Sequence, residues 1–352
     1  MKIVEIINEL QQRGGAEVFV TNLCHEFAKR EDNEIVLISL FDKPHPTFVN
    51  KIDSSKITFL TLGKRKGLDF SAARKMKKIL KNLQPDVVHL HLSCLSTYFI
   101  AFGLKKQKWQ LYQTFHSIPG STSNGIHDFI RMLFIKKKLI TFVGISDEIT
   151  KIAKQKYKNI CCLTIYNGID LRHPFVNPAQ HKRFDLIIVA SFRPAKNHLL
   201  LFNAIDSLSD KYDVSLLCVG DGPLRQNYLK LTSPKIKMVG YSDDVYKYLL
   251  DSKIFVLSSL REGNPISILE AMDCGLPIIA PKIGGIPDVV INNKNGLLFE
   301  ANNKKELCDA IIYFLENPKE IEIIGRRNAE YVRKYSMDIC SSQYYDLFEN
   351  KH

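Results

Sequence analysis

Two carboxylates and a helix start lie together in the segment Arg261-Glu262-Gly263-Asn264-Pro265-Ile266-Ser267-Ile268-Leu269-Glu270. Asn264 is a good N-cap and Pro265 suits the first helical position, which predicts a helix over about 265–273. The free backbone N–H groups over residues 265 to 267 then face whatever sits in front of them, and that makes an anion site. Glu262 lies just before the cap and Glu270 about a turn and a half inside. Both can therefore reach one ligand that combines phosphate with several hydroxyls, and a nucleotide sugar is such a ligand. The plainer alternative is a favourable charge near a helix N-terminus for Glu262 and a solvated helix residue for Glu270.

Other residues offer complementary chemistry. In Val189-Ala190-Ser191-Phe192-Arg193-Pro194-Ala195-Lys196-Asn197 a strand end delivers Arg193 and Lys196 to a helix start, with Asn197 as its N-cap. Fixed positive charge there meets the negative charge that develops on a diphosphate leaving group. Gly14-Gly15-Ala16-Glu17 follows the first strand and opens the first helix, where missing side chains let backbone approach a phosphate or a sugar. It is not G-x-G-x-x-G, so a nicotinamide fingerprint is absent. Gly220-Asp221-Gly222 and Gly240-Tyr241 are further strand-end turns, and one of Asp243 and Asp244 is expected to cap a helix beginning near 244. His89-x-His91 puts two imidazoles on one face of a strand end, and His116 ends the next strand. No third ligand stands at a suitable spacing, so no metal is expected; hydrogen-bonded strand-end histidines are the alternative.

Short β-rich runs alternate with amphipathic stretches and must position these groups. Residues 2–8, 34–40, 86–91, 110–115 and 140–145 read as strands, with helices such as 16–30 and 71–83 between them. A second series follows at 185–190, 213–219, 236–240, 253–258 and 276–280, with helices near 197–208, 222–231, 244–250 and 265–273. The fold class is α/β, two doubly wound Rossmann-like domains with ligands expected at the carboxyl ends of the strands. The boundary is expected near Tyr166-Asn167-Gly168-Ile169-Asp170, giving domains 1–168 and 169–337, before the His173-Pro174 and Asn177-Pro178 breaks. A tight hinge rather than a flexible tether is expected between them.

A length of 352 residues, 45% hydrophobic and 24% charged, is ordinary for globular domains and excludes a disordered or fibrous chain. No apolar run is long enough to span a bilayer and the N-terminus reads as a strand, so a cytoplasmic location is expected. Eight cysteines without a C-x-x-C pair read as small core residues. The net charge of +12 is uneven: residues 1–170 hold 26 Lys and Arg against 15 Asp and Glu, the remaining 182 hold 23 against 22. Runs such as Lys64-Arg65-Lys66 and Lys136-Lys137-Lys138, the latter beside Phe129, Met132 and Phe134, suit an anionic membrane surface, although charge runs also occur as plain solvated helix faces.

Glu262-x7-Glu270 with Glu-Gly-Asn-Pro inside it resembles the donor-site signature of the retaining glycosyltransferases of family 4, built on the GT-B fold. The likeness extends along nearly the whole chain: Gly14-Gly15, the Thr114-Phe115-His116 strand end, the Arg193/Lys196 loop, Gly220-Asp221-Gly222, Pro281 to Asp288, and Asn295-Gly296-Leu297-Leu298-Phe299, expected as a hairpin. One departure is that the family's usual Arg position holds Ser191. Alternation along an extended chain would let Arg193 serve from the same face. The resemblance implies two domains facing a central cleft and a terminal helix, about 338–350, that crosses back to the first. It implies retaining transfer from a nucleoside-diphosphate sugar to an acceptor hydroxyl, a glycan or lipid-linked glycan in surface polysaccharide assembly, with no metal or other cofactor and no protein nucleophile.

In that scheme Arg193, Lys196 and the amides around Gly263 to Ile266 stabilise the leaving group. Glu262 orients the sugar hydroxyls, Glu270 holds the ribose and His116 touches the sugar. Gly14 and Gly15 approach the ligands, Gly220, Asp221, Gly222, Gly240 and Tyr241 frame the base, and Asn264 and Pro265 bind the donor on its phosphate side. Location would then be cytoplasmic, peripheral on the inner face of the membrane. A sugar-nucleotide epimerase of the same fold would need no acceptor, and a nucleic-acid-binding protein would use the basic half, although no single-strand or helix-turn-helix motif is present.

Overall fold

A computed structural model of the protein describes residues 1–10, 14–52, 55–119, 125–172, 182–230 and 233–350. The chain divides into two compact units, Met1–Asp170 with Met337–His352, and Leu171–Ser336. The sequence reading put this division at 168/169, and the proline breaks at 174 and 178 lie outside the described residues.

Unit 1 runs β1 (Lys2–Ile7), α1 (Gly15–Ala28), β2 (Glu34–Ser39), α2 (Pro46–Lys51), β3 (Ile57–Thr61), α3 (Phe70–Leu83), β4 (Val87–His91), α4 (Leu95–Phe102), β5 (Gln110–Phe115), α5 (Gly125–Lys136), β6 (Thr141–Gly144), α6 (Asp147–Lys156) and β7 (Cys162–Thr164). Its seven strands pair in parallel in the order β3-β2-β1-β4-β5-β6-β7. Central strands such as β1 and β4 are buried on both faces because helices cover both sides of a parallel sheet. The edge strands β3 and β7 were not read from the sequence. β7 is three residues long and β3 is half-exposed, so neither carries a strong apolar run. α3 shows why its helix starts where it does: the Asp69 side chain accepts the N–H groups of Ser71 and Ala72, and Ala72, Ala73, Met76 and Leu80 form its buried face.

Unit 2 runs β8 (Phe184–Val189), a 3₁₀ turn (Pro194–Lys196), α7 (His198–Leu208), β9 (Leu216–Val219), α8 (Arg225–Leu229), β10 (Ile236–Gly240), α9 (Tyr246–Leu249), β11 (Ser252–Val256), α10 (Ile266–Asp273), β12 (Ile278–Pro281), α11 (Ile286–Val289), β13 (Gly296–Phe299), α12 (Lys304–Glu316) and α13 (Pro318–Tyr331). Its strand order is β10-β9-β8-β11-β12-β13, again parallel. The hairpin expected at Asn295 to Phe299 is therefore corrected. β13 lies parallel to β12, because α11 carries the chain back across before it pairs. Asn295 closes that return by accepting the Ile291 N–H at 2.7 Å and donating to the Val289 carbonyl at 3.0 Å.

The last helix, α14 (Met337–Glu349), belongs to unit 1. The Tyr112 hydroxyl donates to the Leu347 carbonyl at 3.1 Å, and Gln110 donates to the Phe348 carbonyl at 3.0 Å. All eight cysteines are free and six are buried; Cys161 is exposed and Cys308 half-buried. Among the described residues no helix is long and apolar enough to cross a membrane.

Candidate functional site

In each sheet the strand order reverses at one point, between β1 and β4 in unit 1 and between β8 and β11 in unit 2. Open parallel sheets hold ligands outside the carboxyl ends of their strands at such a point. Lys196 follows β8 and Glu262 follows β11, and their side chains meet at 2.6 Å from Nζ to Oε1. The same Oε1 accepts the Ser259 hydroxyl at 2.5 Å, and Ser258 donates to the Lys196 carbonyl at 3.0 Å. The Leu260 N–H donates to the Ala195 carbonyl at 2.8 Å, so backbone ties these two loops together as well. Ser258 and Ser259 carry no motif signal of their own; being two polar residues directly after an apolar strand is the only hint the sequence holds.

Glycines let neighbouring loops press against this pair. Gly284 has φ +51, and a Cβ there would stand 1.9 Å from the Glu262 carbonyl oxygen. The Gly285 N–H donates to the Gly263 carbonyl at 2.8 Å, which joins the loop after β12 to the one after β11. Gly220, at φ +146, passes so close to β8 that a Cβ would lie 2.1 Å from the Ala190 carbonyl oxygen. The Gly220 N–H also donates to the Gly240 carbonyl at 2.7 Å. Gly222 lies against the Phe192 backbone, and its N–H is held by the Asp221 carboxylate at 2.8 Å. Tyr241 is exposed and donates to Asp243 at 2.7 Å, while Asp244 accepts the Tyr246 N–H at 3.2 Å at the head of α9.

Two local expectations change. Pro265 is itself the N-cap of α10, with extended backbone, and no side chain caps the helix; Asn264 is buried instead. Proline has no N–H and Ile268 already donates to the Pro265 carbonyl at 3.0 Å, so the amides open at the helix start are those of Ile266 and Ser267. Arg193 does not sit two residues along an extended chain from Ser191. The Arg193 N–H donates back to the Ser191 carbonyl at 2.8 Å, turning the chain about the buried Phe192. Arg193 is exposed at the edge of the loop, whereas Lys196 points into the pair with Glu262. Asn197 does cap α7 by position, in the left-handed region at φ 47, but not through its side chain. Glu270 is half-buried on α10, and its charge, after burial, raises the Tyr246 phenol on α9. Arg172 lies over the Tyr246 ring at 4.6 Å.

In unit 1, Gly14 is the extended N-cap of α1, and a Cβ on it would crowd only the Glu17 carboxylate; Gly15 is exposed as the first helical residue. His89, His91 and His116 prove to be one cluster, and their missing partner is Glu5 in the middle of β1, fully buried. Glu5, His89 and His91 bring ligand-type atoms within 4.8 Å of one another, so a third such group exists after all. It was invisible because it lies 84 residues away and meets His89 only through the β1–β4 register. A charged residue inside the run Lys2-Ile3-Val4-Glu5-Ile6-Ile7 was the available signal.

Comparison with known proteins decides the family. The model described as "Glycosyltransferase Family 4" matches residues 13–173, and the one described as "Glycosyl transferases group 1" matches 171–331. The chain belongs to glycosyltransferase family 4. It is a sugar-transferring enzyme with the two Rossmann-like domains of the GT-B class. One relative is an N-acetyl-alpha-D-glucosaminyl L-malate synthase of Bacillus anthracis, 26% identical over 303 residues, 80% of this chain and 78% of that one. Another is a UDP-Gal:alpha-D-GlcNAc-diphosphoundecaprenol alpha-1,3-galactosyltransferase of Escherichia coli, 27% identical over 311 residues, 80% of each chain. The crystal structure of Anabaena HepE in complex with UDP matches in fold with a TM-score of 0.81 at 18% identity, covering all of both chains. The family 4 chain thus carries its Lys196–Glu262 pair at the switch point of the group 1 domain.

Proposed function

We propose that this family 4 glycosyltransferase takes its sugar from a nucleoside-diphosphate donor bound by unit 2 and transfers it, with retention, to a hydroxyl of a glycan or lipid-linked glycan. The observation that carries the reading is the Lys196–Glu262 pair beside the start of α10. A lysine ammonium, two open amides and a carboxylate side by side suit a ligand with anionic phosphate at one end and hydroxyls at the other. Lys196 keeps two further N–H groups for phosphate oxygens when Glu262 holds one. Glu262 turns its second oxygen to sugar hydroxyls, Glu270 takes the ribose, and the departing diphosphate accepts the acceptor's proton. Retention comes from the family resemblance. A uridine donor and a lipid-linked acceptor are supported by the name of the Escherichia coli relative and by the UDP in Anabaena HepE.

A membrane-facing acceptor also fits unit 1. α5 buries Ile130, Arg131, Phe134 and Ile135 and exposes Ile126, Phe129 and Met132 along its other side. Leu68 and Phe70 are each 67% exposed next to Arg65 and Lys66. Burial, then the Arg131 charge, lowers His127 on α5, with a smaller push from Lys64 and against the pull of Asp128. Apolar side chains ringed by lysine and arginine suit an anionic leaflet. We place the enzyme on this reading at the cytoplasmic face of a membrane, in surface polysaccharide synthesis, working without a metal.

Calorimetric titration of the full chain with UDP, GDP and ADP tests the donor. One of them is expected to bind at or below about 1 mM, the upper end of ordinary substrate affinities. Binding of none would sink the reading. Donor consumption with the matching sugar nucleotide, run with and without a lipid-linked acceptor, then tests the transfer.

A further inference from the structure

Unit 1 buries a string of polar side chains whose last member alone enters the transfer scheme. Glu5 is fully buried, and an ionised carboxylate at that depth is costly unless its oxygens are met by donors. His89 Nδ1 lies 3.0 Å and His91 Nε2 lies 2.6 Å from Glu5 Oε2. A carboxylate only accepts, so both ring nitrogens carry the proton. A neutral His91 protonated on Nε2 has a bare Nδ1, and this nitrogen lies 2.9 Å from Nε2 of His116. His116 must then donate from Nε2, which leaves its own Nδ1 without a proton. On the other side, His89 Nε2 meets the Thr114 hydroxyl at 2.8 Å, and Thr114 meets the Tyr344 hydroxyl at 2.9 Å. His89 gives its Nδ1–H to Glu5 in either protonation state.

The surrounding groups favour this charge pattern. Burial, then the charge of His89, lowers His91 to about 4, against the pull of Glu5. Burial, with His91 and His89, takes His116 well below the usual histidine range. Burial works to raise Glu5, but the His89 charge and the bonds from both histidines outweigh it and bring it to about 2. Other titratable groups around the string are the Cys24 thiol on α1, Cys94 just after β4, Cys162 on β7, and Cys340 and Tyr344 on α14. Burial raises all five, so they are uncharged at neutral pH. Phe19 closes the apolar side, edge-on to His116 at 5.5 Å between ring centres.

We propose that Glu5 is a positioning residue that sets the tautomer of His116: acting through His91, it holds the His116 proton on Nε2 and presents Nδ1 as an acceptor for a hydroxyl of the bound sugar. The sugar end of this string rests on the reading above in which His116 meets the donor sugar. An acceptor nitrogen selects a hydroxyl and rejects an O-methyl group, which has no hydrogen to give.

Side-chain ¹⁵N NMR of the histidine-labelled full chain tests it, with His116 assigned by the resonances lost in His116→Gln. The expected result in the wild type at neutral pH is a bare Nδ1 and a protonated Nε2; a protonated Nδ1 overturns the proposal without need of any variant. In Glu5→Gln the amide can donate to His91 Nε2 and reverse the string. His116 should then gain a protonated Nδ1 and kcat/KM should fall about 10-fold to 100-fold, the range over which outer hydrogen-bond partners act on metal-bound histidines. An unchanged tautomer and unchanged rate in Glu5→Gln also overturn it. If His116→Ala keeps full activity while the wild-type tautomer is as expected, the contact with sugar fails and the string alone survives.

Discussion

Replacing Gly284 by Ala tests whether the loop after β12 holds Glu262 in place. The added methyl would stand 1.9 Å from the Glu262 carbonyl oxygen, about 1.1 Å inside the closest approach that Cβ atoms make. The neighbour is backbone, so no side chain can swing aside. At φ +51 an alanine also carries left-handed strain of about 1 kcal/mol. Relief requires a shift of about an ångström in residues 261–263, which strains the Gly285 to Gly263 hydrogen bond, worth roughly another 1 kcal/mol. The expected cost is about 2 to 4 kcal/mol, and the midpoint of thermal unfolding falls on the order of 10 °C. The same shift pulls Glu262 off Lys196, and a misplacement of that size costs about 10²-fold in turnover. Gly67→Ala is the control, since Gly67 has φ +82 but nothing within 4 Å of an added Cβ. It should lose about 1 kcal/mol and no activity. Thermal melts and donor consumption on both variants decide the matter. If Gly284→Ala melts like Gly67→Ala and turns over within about twofold of wild type, the loop does not position Glu262.

Lys196→Ala should lower turnover by about 10²- to 10³-fold if Lys196 meets developing diphosphate charge; an unchanged rate of donor consumption would remove it from that role. Stability should fall on mild acidification. Burial, with Lys196 in one case and His89 in the other, lowers His198 and His91 from 6.5 to about 4, so the unfolded chain takes up their protons first. Their contribution is whole above about pH 6.5 and lost as pH falls towards 4, at about 2 kcal/mol per group by pH 5. Because His198 stacks on Phe192, His198→Phe should flatten that decline in urea melts at pH 7.5 and 5, and an unaltered pH dependence would contradict the assignment. Sedimentation with vesicles should show the full chain on anionic but not neutral lipid, with binding reduced about tenfold or more when Ile126, Phe129 and Met132 become Ser; equal binding to both lipids refutes the membrane reading. Turnover should survive exhaustive chelation, and loss restored by a divalent cation would overturn the metal-free mechanism.

The two sheets were legible because parallel strands covered on both faces write continuous apolar runs, as in Glu34-Ile35-Val36-Leu37-Ile38-Ser39, separated by amphipathic stretches such as 71–83. The short edges β3 and β7 were not, since an exposed or three-residue strand needs only a neighbour to pair with. The parallel course of β13 was missed because an Asn-Gly pair signals a turn without saying how far the chain travels before it pairs.

Within the site, residue types alone determined the chemistry on offer: acids, a lysine, glycine turns and a helix start in an order that matches family 4. Local geometry escaped the sequence wherever one residue's backbone decided another's role, as when Phe192 burial turns the chain and sends Arg193 to the loop edge. Only tertiary structure could join Lys196 to Glu262 across 66 residues, or Glu5 to His89 and His91 across 84 and 86. The reason is physical. Side-chain type is a local property, whereas a hydrogen bond between distant residues exists only once the strand register brings the two atoms within 3 Å, and nothing in either residue's neighbours records that register.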